Sequence, residues 1–516
     1  MKPPPDVLRP ADSFHVYDTT LRDGSQREGM ALSVNDKLAI ARHLDELGVG
    51  FVEGGWPGAN PKDAEFFRRA QTELVLGAAQ LTAFGATRRA GLTAADDPQV
   101  AHLRVSGAPV VCLVGKAWDR QVTDALRTTL DENLAMVRDT VRHLRAEGQR
   151  VFFDAEHFFD GYRANPTYAL EVVHNAAEAG ADVVSAVAQT SARLGIHCHN
   201  DTACAVANTL AAVEAGVTHV QGTANGYGER CGNADIFSIV AGLELKLGRA
   251  VLPQGRLQEL VPVSHAIAEV ANIAPDPHAP YVGLSAFAHK AGLHVSAIKV
   301  APEMYQHVDP LTVGNDMRLL VSELAGRATI VLKGKEMGLD LDDQPETVLR
   351  VIERVKDLES VGYTFEAADA SFELLLRGEM GDHTRFFELE SWRTIVERRP
   401  GGELVSEATV KLTAKGERIV ATGEGNGPVN ALDKALRVAL EQLYPSLASL
   451  ELVDFKVRIV EGGGGTGAVT RVLVETSDGT TEWDTIGVDQ NIIAASWQAL
   501  DDAVTYGLLR QGEVPS

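Results

Sequence analysis

His197 and His199 stand two residues apart in "HCHND". In an extended strand that spacing turns both rings to one face. Two imidazoles on one face make a pair of divalent-metal ligands, and a carboxylate completes a facial 2-His-1-carboxylate set. Asp23 in "DTTLRDG" is the best candidate for it, although spacing alone does not separate it from Asp18. The plainer reading is two histidines satisfied in a core and two solvated loop carboxylates. Arg22 sets a fixed cation where an anionic substrate would arrive, or else forms a salt bridge across the mouth of the site. Glu156 and His157 follow a further strand, where a carboxylate acts as a base, orients a substrate or pairs with an arginine. In "GYGERCGNAD" three glycines allow close backbone approach to a ligand. Asn233 in that segment offers a metal an amide oxygen, or equally caps the next helix.

All these residues follow the ends of predicted strands. β-Branched runs mark strands at 14–18, 50–53, 80–84, 110–114, 151–154, 182–184, 194–197 and 220–223. Amphipathic stretches between them, such as 34–47, 133–147, 166–179 and 203–215, read as helices. Eight strands alternating with helices predict a (β/α)8 TIM barrel, an α/β fold that keeps its active site at the C-terminal strand ends. One interval is too short. The sixth and seventh strands start about 12 residues apart, whereas a whole βαβ crossover needs at least ~10–12 residues between strands, so the sixth β/α unit is truncated.

Beyond residue 250 helices are expected at 261–273, 283–297 and 345–358, the last with Pro345 at its first position, where the missing N–H costs nothing. Alternating strands follow at 386–395, 405–414 and 417–422. Residues 404–443 read strand, strand, Gly-rich turn (423–427), helix. Residues 455–508 repeat this with a "TIGV" turn (485–488) before the helix at 491–508. The 462–465 glycine run reads as a hairpin loop. The division expected is a barrel catalytic domain over 1–270, a helical linker subdomain over 271–375 that completes the site, and a C-terminal α+β regulatory domain of two βββα-like repeats over 376–516.

The 516 residues carry 48 Lys+Arg against 71 Asp+Glu, a formal charge of −23. Bulk charge of that sign disfavours nucleic acid and anionic membranes, so an anionic substrate must be held by a local cation. No apolar run approaches the ~20 residues of a membrane helix, and residues 1–10 hold three consecutive prolines without the apolar h-region of a signal peptide. The four cysteines form no C-x-x-C pair and read as reduced thiols. A cytoplasmic protein is expected.

"YDTTLRDGSQREGM", "EGGWPGANPKD", "FDAEHFFDGY", "HCHND", "NGYGERCGNAD" and "VDPLTVGNDMRLLVSELAGR" together resemble the 2-isopropylmalate synthase superfamily, and within it the long-form citramalate synthases. The resemblance runs over nearly the whole chain and includes the family's leucine/isoleucine-sensing domain in "GEGNGPVNALDKAL" and "IGVDQNIIAASW". It implies condensation of pyruvate with acetyl-CoA to citramalate and CoA, in isoleucine biosynthesis. Carried over by motif, Asp23, His197, His199 and Asn233 would hold Mn²⁺ or Mg²⁺, and Arg22 would polarise the 2-oxo group. Glu156 would line the acetyl-CoA side, with Gln26 joining Arg22 and Glu156 in binding substrate. His294 and Tyr305 match positions that support catalysis across a dimer interface. A homodimer and an isoleucine effector at the C-terminal domain are implied with them.

The sequence departs from the family at one place. A "DTNGG"-type segment, whose Thr contacts the 2-oxo acid carboxylate, is missing between "GADVV" and "SAVAQTSARLGIHCHND". This is the short interval already found from strand spacing, and weaker 2-oxo acid binding, lower stability or both are expected from it. The alternatives are 2-isopropylmalate or homocitrate synthase of the same family, and a catalytically impaired member that only binds an amino acid. Hydroxymethylglutaryl-CoA lyase lacks the C-terminal repeats, and barrel amidohydrolases carry their H-x-H after the first strand rather than the seventh.

Overall fold

The computed structural model describes residues 14–185, 192–460 and 465–515. The proline-rich start, most of the shortened crossover and most of the 462–465 glycine run lie outside the described residues. The chain divides into two compact units, Met1–Phe287 with Val308–Met317, and Ala288–His307 with Arg318–Ser516.

In the first unit eight parallel strands close a barrel in chain order: β1 (His15–Asp18), β2 (Phe51–Gly55), β3 (Gln80–Ala86), β4 (Val110–Lys116), β5 (Arg150–Glu156), β6 (Val183–Ser185), β7 (Arg193–His197) and β8 (His219–Gly222). Period-2 alternation sorts their side chains. Tyr17, Phe51, Phe84, Cys112, Phe152 and Val183 form one buried cluster inside the barrel. Their chain neighbours Val16, Val52, Ala83, Val111, Phe153 and Val184 belong to a separate apolar layer shared with the outer helices. The same parity turns Glu53, Asp154, Glu156, His197, His219 and Gln221 inward.

The outer helices are α1 (Val34–Leu47), α2 (Pro61–Glu73), α3 (Pro98–Val105), α4 (Leu130–Ala146), α5 (Phe158–Ala164), α6 (Pro166–Glu178), α7 (Ala205–Glu214), α8 (Ile236–Leu245) and α9 (Leu260–Val270). Ser33 and Asp36 close a capping box on α1. Asn60, Asp97 and Asn165 cap α2, α3 and α6 ahead of a proline at the first helical position. Between β6 and β7 seven residues remain, against the dozen or more that a parallel crossover usually takes. The ring nevertheless closes, with Val183 and Val184 paired to Arg193 and Leu194. The truncated sixth unit is therefore a feature of this barrel.

The helix expected over 283–297 is not formed as one piece. Asn315 donates its amide hydrogens to the carbonyls of Tyr281 and Gly283, and the Ser285 N–H bonds back to Pro277, so these groups are taken by turns. Helix α10 (Gly292–Val300) starts later, after the short strand β9 (Ala288–His289), which pairs with β10 (Arg318–Leu319).

The second unit continues with α11 (Arg327–Glu336), α12 (Pro345–Ser360), which starts on Pro345 as expected, and α13 (Asp369–Glu379). Two βββα repeats follow. The first is β11 (Glu388–Arg398), β12 (Leu404–Ala414), β13 (Glu417–Gly425) and α14 (Pro428–Leu440); the second is β14 (Glu451–Ile459), β15 (Thr470–Ser477), β16 (Glu482–Asp489) and α15 (Ile492–Arg510). Each is an antiparallel sheet covered by its helix. The "TIGV" segment is not a turn but the middle of β16, paired with β15. Gly487 is there because α15 lies so close that a Cβ would come 1.9 Å from the Ala495 carbonyl oxygen; Gly423 meets α14 in the same way, 2.5 Å from Ala435 N. Gly487→Ala is accordingly expected to destabilise the second unit by about 1–3 kcal/mol, the usual range for overpacking, which chemical denaturation checks.

Candidate active site

The Asp23, His197 and His199 side chains converge at the barrel mouth from at or just beyond the ends of β1 and β7, which are separated by β8 alone. Each has one ligand atom within 4.8 Å of the others', and His197 Nε2 lies 3.2 Å from Asp23 Oδ2. Burial pushes Asp23 up, but the hydrogen bond from His197 and the charge of Arg22 outweigh it and hold the carboxyl well below its ordinary range. Burial lowers His197, yet Asp23 reverses this and the ring ends above its ordinary value. His199, pushed down by burial and by the neighbouring His197, favours the neutral, metal-ligating form.

Asp18 is settled differently. It is fully buried and accepts hydrogen bonds from the backbone N–H and hydroxyl of Thr20 at 2.8 Å. Burial nevertheless drives its carboxyl up to about 7. Its place is in folding the β1 loop.

Arg22 is clamped rather than free. Its Nε lies 2.5 Å from Glu53 Oε1, a second nitrogen lies 3.5 Å from Asp23, and its guanidinium sits 3.8 Å from the centroid of the Phe84 ring. Glu53 is fully buried on β2 and also accepts a short hydrogen bond from the Tyr17 hydroxyl. Burial raises Glu53, opposed chiefly by the Arg22 charge. Glu53→Gln would leave that guanidinium with only the more distant Asp23 as counter-charge, and a loss of about 3 kcal/mol is expected, measurable as a lower urea midpoint with unchanged slope.

Asn233 is buried; its Nδ2 donates to the Tyr227 carbonyl at 2.9 Å, and its backbone bridges to His199. Its Oδ1 has no hydrogen-bond partner among the described residues. A buried orphan acceptor is costly unless something satisfies it. Two imidazoles, a carboxylate and this oxygen fit a divalent cation by donor type. The cap of α8 is Asp235, not Asn233. The loop glycines serve the loop itself, since a Cβ on Gly228 would lie 2.3 Å from Asn233 Nδ2, and one on Gly232 2.0 Å from the Gly226 carbonyl oxygen.

Arg22, Asp23, Gln26, Glu156, His197 and His199 line one cavity of about 1000 Å³. Glu156 forms an ion pair there with Lys116. His294 and Tyr305 belong to the second unit, where both are exposed and their rings stack at 4.1 Å. Sequence reasoning missed Lys116, Trp56, Phe84 and Asp154 in the lining, and Glu53 and Gln221 behind it. Inward strand parity was the available signal for Glu53, Phe84, Asp154 and Gln221.

The HMGL-like family model matches residues 13–190 and 182–267, two overlapping pieces that meet at the shortened sixth unit. The model described as homocitrate synthase post-HMGL domain-like matches 281–362, and the LeuA allosteric (dimerisation) domain matches 366–508. Among full-length relatives, the (R)-citramalate synthase of Streptomyces coelicolor is 66% identical, with 98% of each chain covered. Those of Synechocystis (47%, 96% of each chain) and Aquifex aeolicus (46%, 98% of this chain and 99% of the relative) follow. The Streptomyces alignment spans 525 positions, more than the 516 residues present here, so that relative carries positions without a counterpart. A probable 2-isopropylmalate synthase of Methanopyrus kandleri is 31% identical. With a closed barrel, an Asp/His/His cluster at its mouth and full-length identity of this order, the chain belongs to the (R)-citramalate synthase family.

Proposed function

We propose that this chain condenses pyruvate with acetyl-CoA in a Claisen-type step to give (R)-citramalate and CoA. The observation that carries this reading is the Asp23, His197 and His199 cluster beside a clamped Arg22, in a chain whose full-length relatives bear that name. The donor set of Asp23, His197, His199 and Asn233 would hold Mn²⁺ or Mg²⁺, which as a Lewis acid makes the ketone carbon of a bound 2-oxo acid electrophilic.

The residues of the chain do the rest. Arg22, oriented by Glu53, points a fixed donor and charge at the 2-oxo oxygen, and Gln26 adds an amide at the rim. Glu156, or a His294 reaching in across a dimer interface as the resemblance implies, takes a methyl proton from acetyl-CoA directly or through water. The methyl carbon then bonds to the ketone carbon of pyruvate, and the resulting alkoxide takes up a proton. Water attacks the thioester, and the C–S bond breaks to release CoA thiol and the free acid. Tyr305, stacked on His294, orients that imidazole.

The three-part division of the chain serves this chemistry: a catalytic barrel over 1–270, a linker over 271–375 that carries His294 and Tyr305, and a regulatory domain from 376. A homodimer is supported by the dimerisation-domain match and by exposed apolar side chains on its strands, among them Ile395, Val396 and Val457. Isoleucine is the effector in this reading. A cavity of about 750 Å³ in the second unit offers Leu452, Phe455 and Pro428 to an aliphatic side chain, with Glu451 and the mutually paired Asp433 and Arg437 in its polar lining. The setting is the cytoplasm; among the described residues no helix is long and apolar enough to cross a membrane.

The test is release of CoA thiol from acetyl-CoA with Mn²⁺, comparing pyruvate, 2-oxobutyrate, 2-oxoisovalerate and 2-oxoglutarate. Selective release with pyruvate is expected. Preference for a longer acid would move the chain to another synthase of the superfamily. No release from folded, metal-loaded protein would leave an amino-acid-binding protein.

A further inference from the structure

Behind His197 a file of buried polar groups runs down the inside of the barrel. His197 Nδ1 lies 3.0 Å from Gln221 Oε1. The amide nitrogen of Gln221 lies 3.0 Å from Asp154 Oδ1 and 3.3 Å from His219 Nε2. His219 Nδ1 in turn lies 3.2 Å from His15 Nδ1. Gln221, His219 and His15 are at most 1% exposed, out of reach of bulk water.

The direction of every hydrogen bond in this file follows from its members. The Gln221 NH₂ group faces Asp154, which accepts from it. The second hydrogen of that group points to His219 Nε2, which accepts only if the ring is neutral. Burial, with His15, Arg193 and Arg150 nearby, pushes His219 well below its ordinary pKa. His15 is driven down to about 3, by burial first and then by the same two arginines. Both rings are thus neutral, and His219 carries its proton on Nδ1, donated to His15. With its NH₂ group committed twice, Gln221 presents only its carbonyl oxygen to His197.

We infer that Gln221 is a positioning residue for the metal site: held by Asp154 and His219, it accepts a hydrogen bond from His197 Nδ1 and so turns Nε2 toward Asp23 and the place a divalent cation would take. A metal-ligating histidine whose other nitrogen is bonded in this way keeps its tautomer and ring orientation, and loss of such a partner typically costs ~10–100-fold in metal affinity. The inference rests on the metal reading of Asp23 and His197 only for its functional consequence; the hydrogen-bond assignment stands by itself.

The experiment uses the full-length chain with ¹⁵N-labelled histidine. Nitrogen and proton shifts of His197 are recorded at saturating Mg²⁺, where the cation takes the place of the Nε2 hydrogen otherwise given to Asp23, and Mn²⁺ binding is measured by calorimetry. Wild type is expected to show a hydrogen-bonded Nδ1–H. Gln221→Met keeps the volume and removes the acceptor, so loss of that bonded Nδ1–H signature and a ~10–100-fold weaker Mn²⁺ affinity are expected. Asp154→Asn lets the Gln221 amide turn over, and the same loss at Nδ1 is expected there, which loss of charge alone would not produce; it serves as the readout if Gln221→Met does not fold. A wild-type Nδ1 without a bonded hydrogen, or an unchanged His197 signature in a folded variant, overturns the inference. If the folded wild type binds neither cation, the metal reading is overturned, while a variant-dependent change at Nδ1 still upholds the hydrogen bond.

Discussion

His197→Ala is expected to lower CoA release with pyruvate by roughly a thousandfold, about 4 kcal/mol of transition-state stabilisation. His197 is one of three side chains that meet at the barrel mouth, and its Nε2 lies 3.2 Å from Asp23 Oδ2. The truncation removes a ligand and also frees Asp23 from the hydrogen bond that helps to keep it ionised. What remains beside it is Arg22, already bound to Glu53, so Asp23 turns toward that cation rather than into the cavity. Mn²⁺ affinity should fall in parallel, while the urea midpoint should change little because the His197 side chain is partly exposed. Steady-state assays at saturating Mn²⁺ with a parallel unfolding curve decide it. Activity within tenfold of wild type, from folded protein, would show that the cluster is structural.

The second large effect concerns the sixth β/α unit. Replacing the seven residues between Ser185 and Arg193 by the corresponding crossover of the Streptomyces coelicolor relative is expected to lower the KM for pyruvate by roughly 10–100-fold. The family resemblance puts in that segment a threonine that contacts the 2-oxo acid carboxylate, and a hydrogen bond to a charged group contributes about 1.5–3 kcal/mol. Thermal stability should rise as well, because seven residues between β6 and β7 are fewer than a parallel crossover usually takes. The family-model match breaks at this point, and the relative's alignment is longer than this chain. A KM and a melting temperature both unchanged in the graft would show the shortened unit to be self-sufficient.

Strand positions, the shortened interval, the two βββα repeats and the shared face of His197 and His199 were legible without coordinates. Each depends on local rules, the period of two along a strand, capping and proline placement at helix starts, and the number of residues available to a crossover. Glycine was the weak point. Gly487 and Gly423 read as turns because glycine breaks strands on average, and only the position of the covering helix reveals that they make room for it.

The sequence by itself therefore determined the barrel, its interrupted sixth unit and the side chains that point inward. Only the closed tertiary structure decided which of these meet. Asp18 and Asp23 are five residues apart and chemically alike, yet Thr20 captures one while His197, two strands away around the ring on β7, captures the other. Glu53 and Gln221 look like ordinary polar strand residues until closure brings Glu53 against Arg22 and Gln221 between His197 and Asp154. Electrostatic and hydrogen-bond partnerships act over a few ångströms in space; Thr20 reaches Asp18 locally, but Asp23 and His197, Arg22 and Glu53, and Gln221 with His197 and Asp154 are separated by tens of residues or more along the chain, so only the folded barrel can pair them.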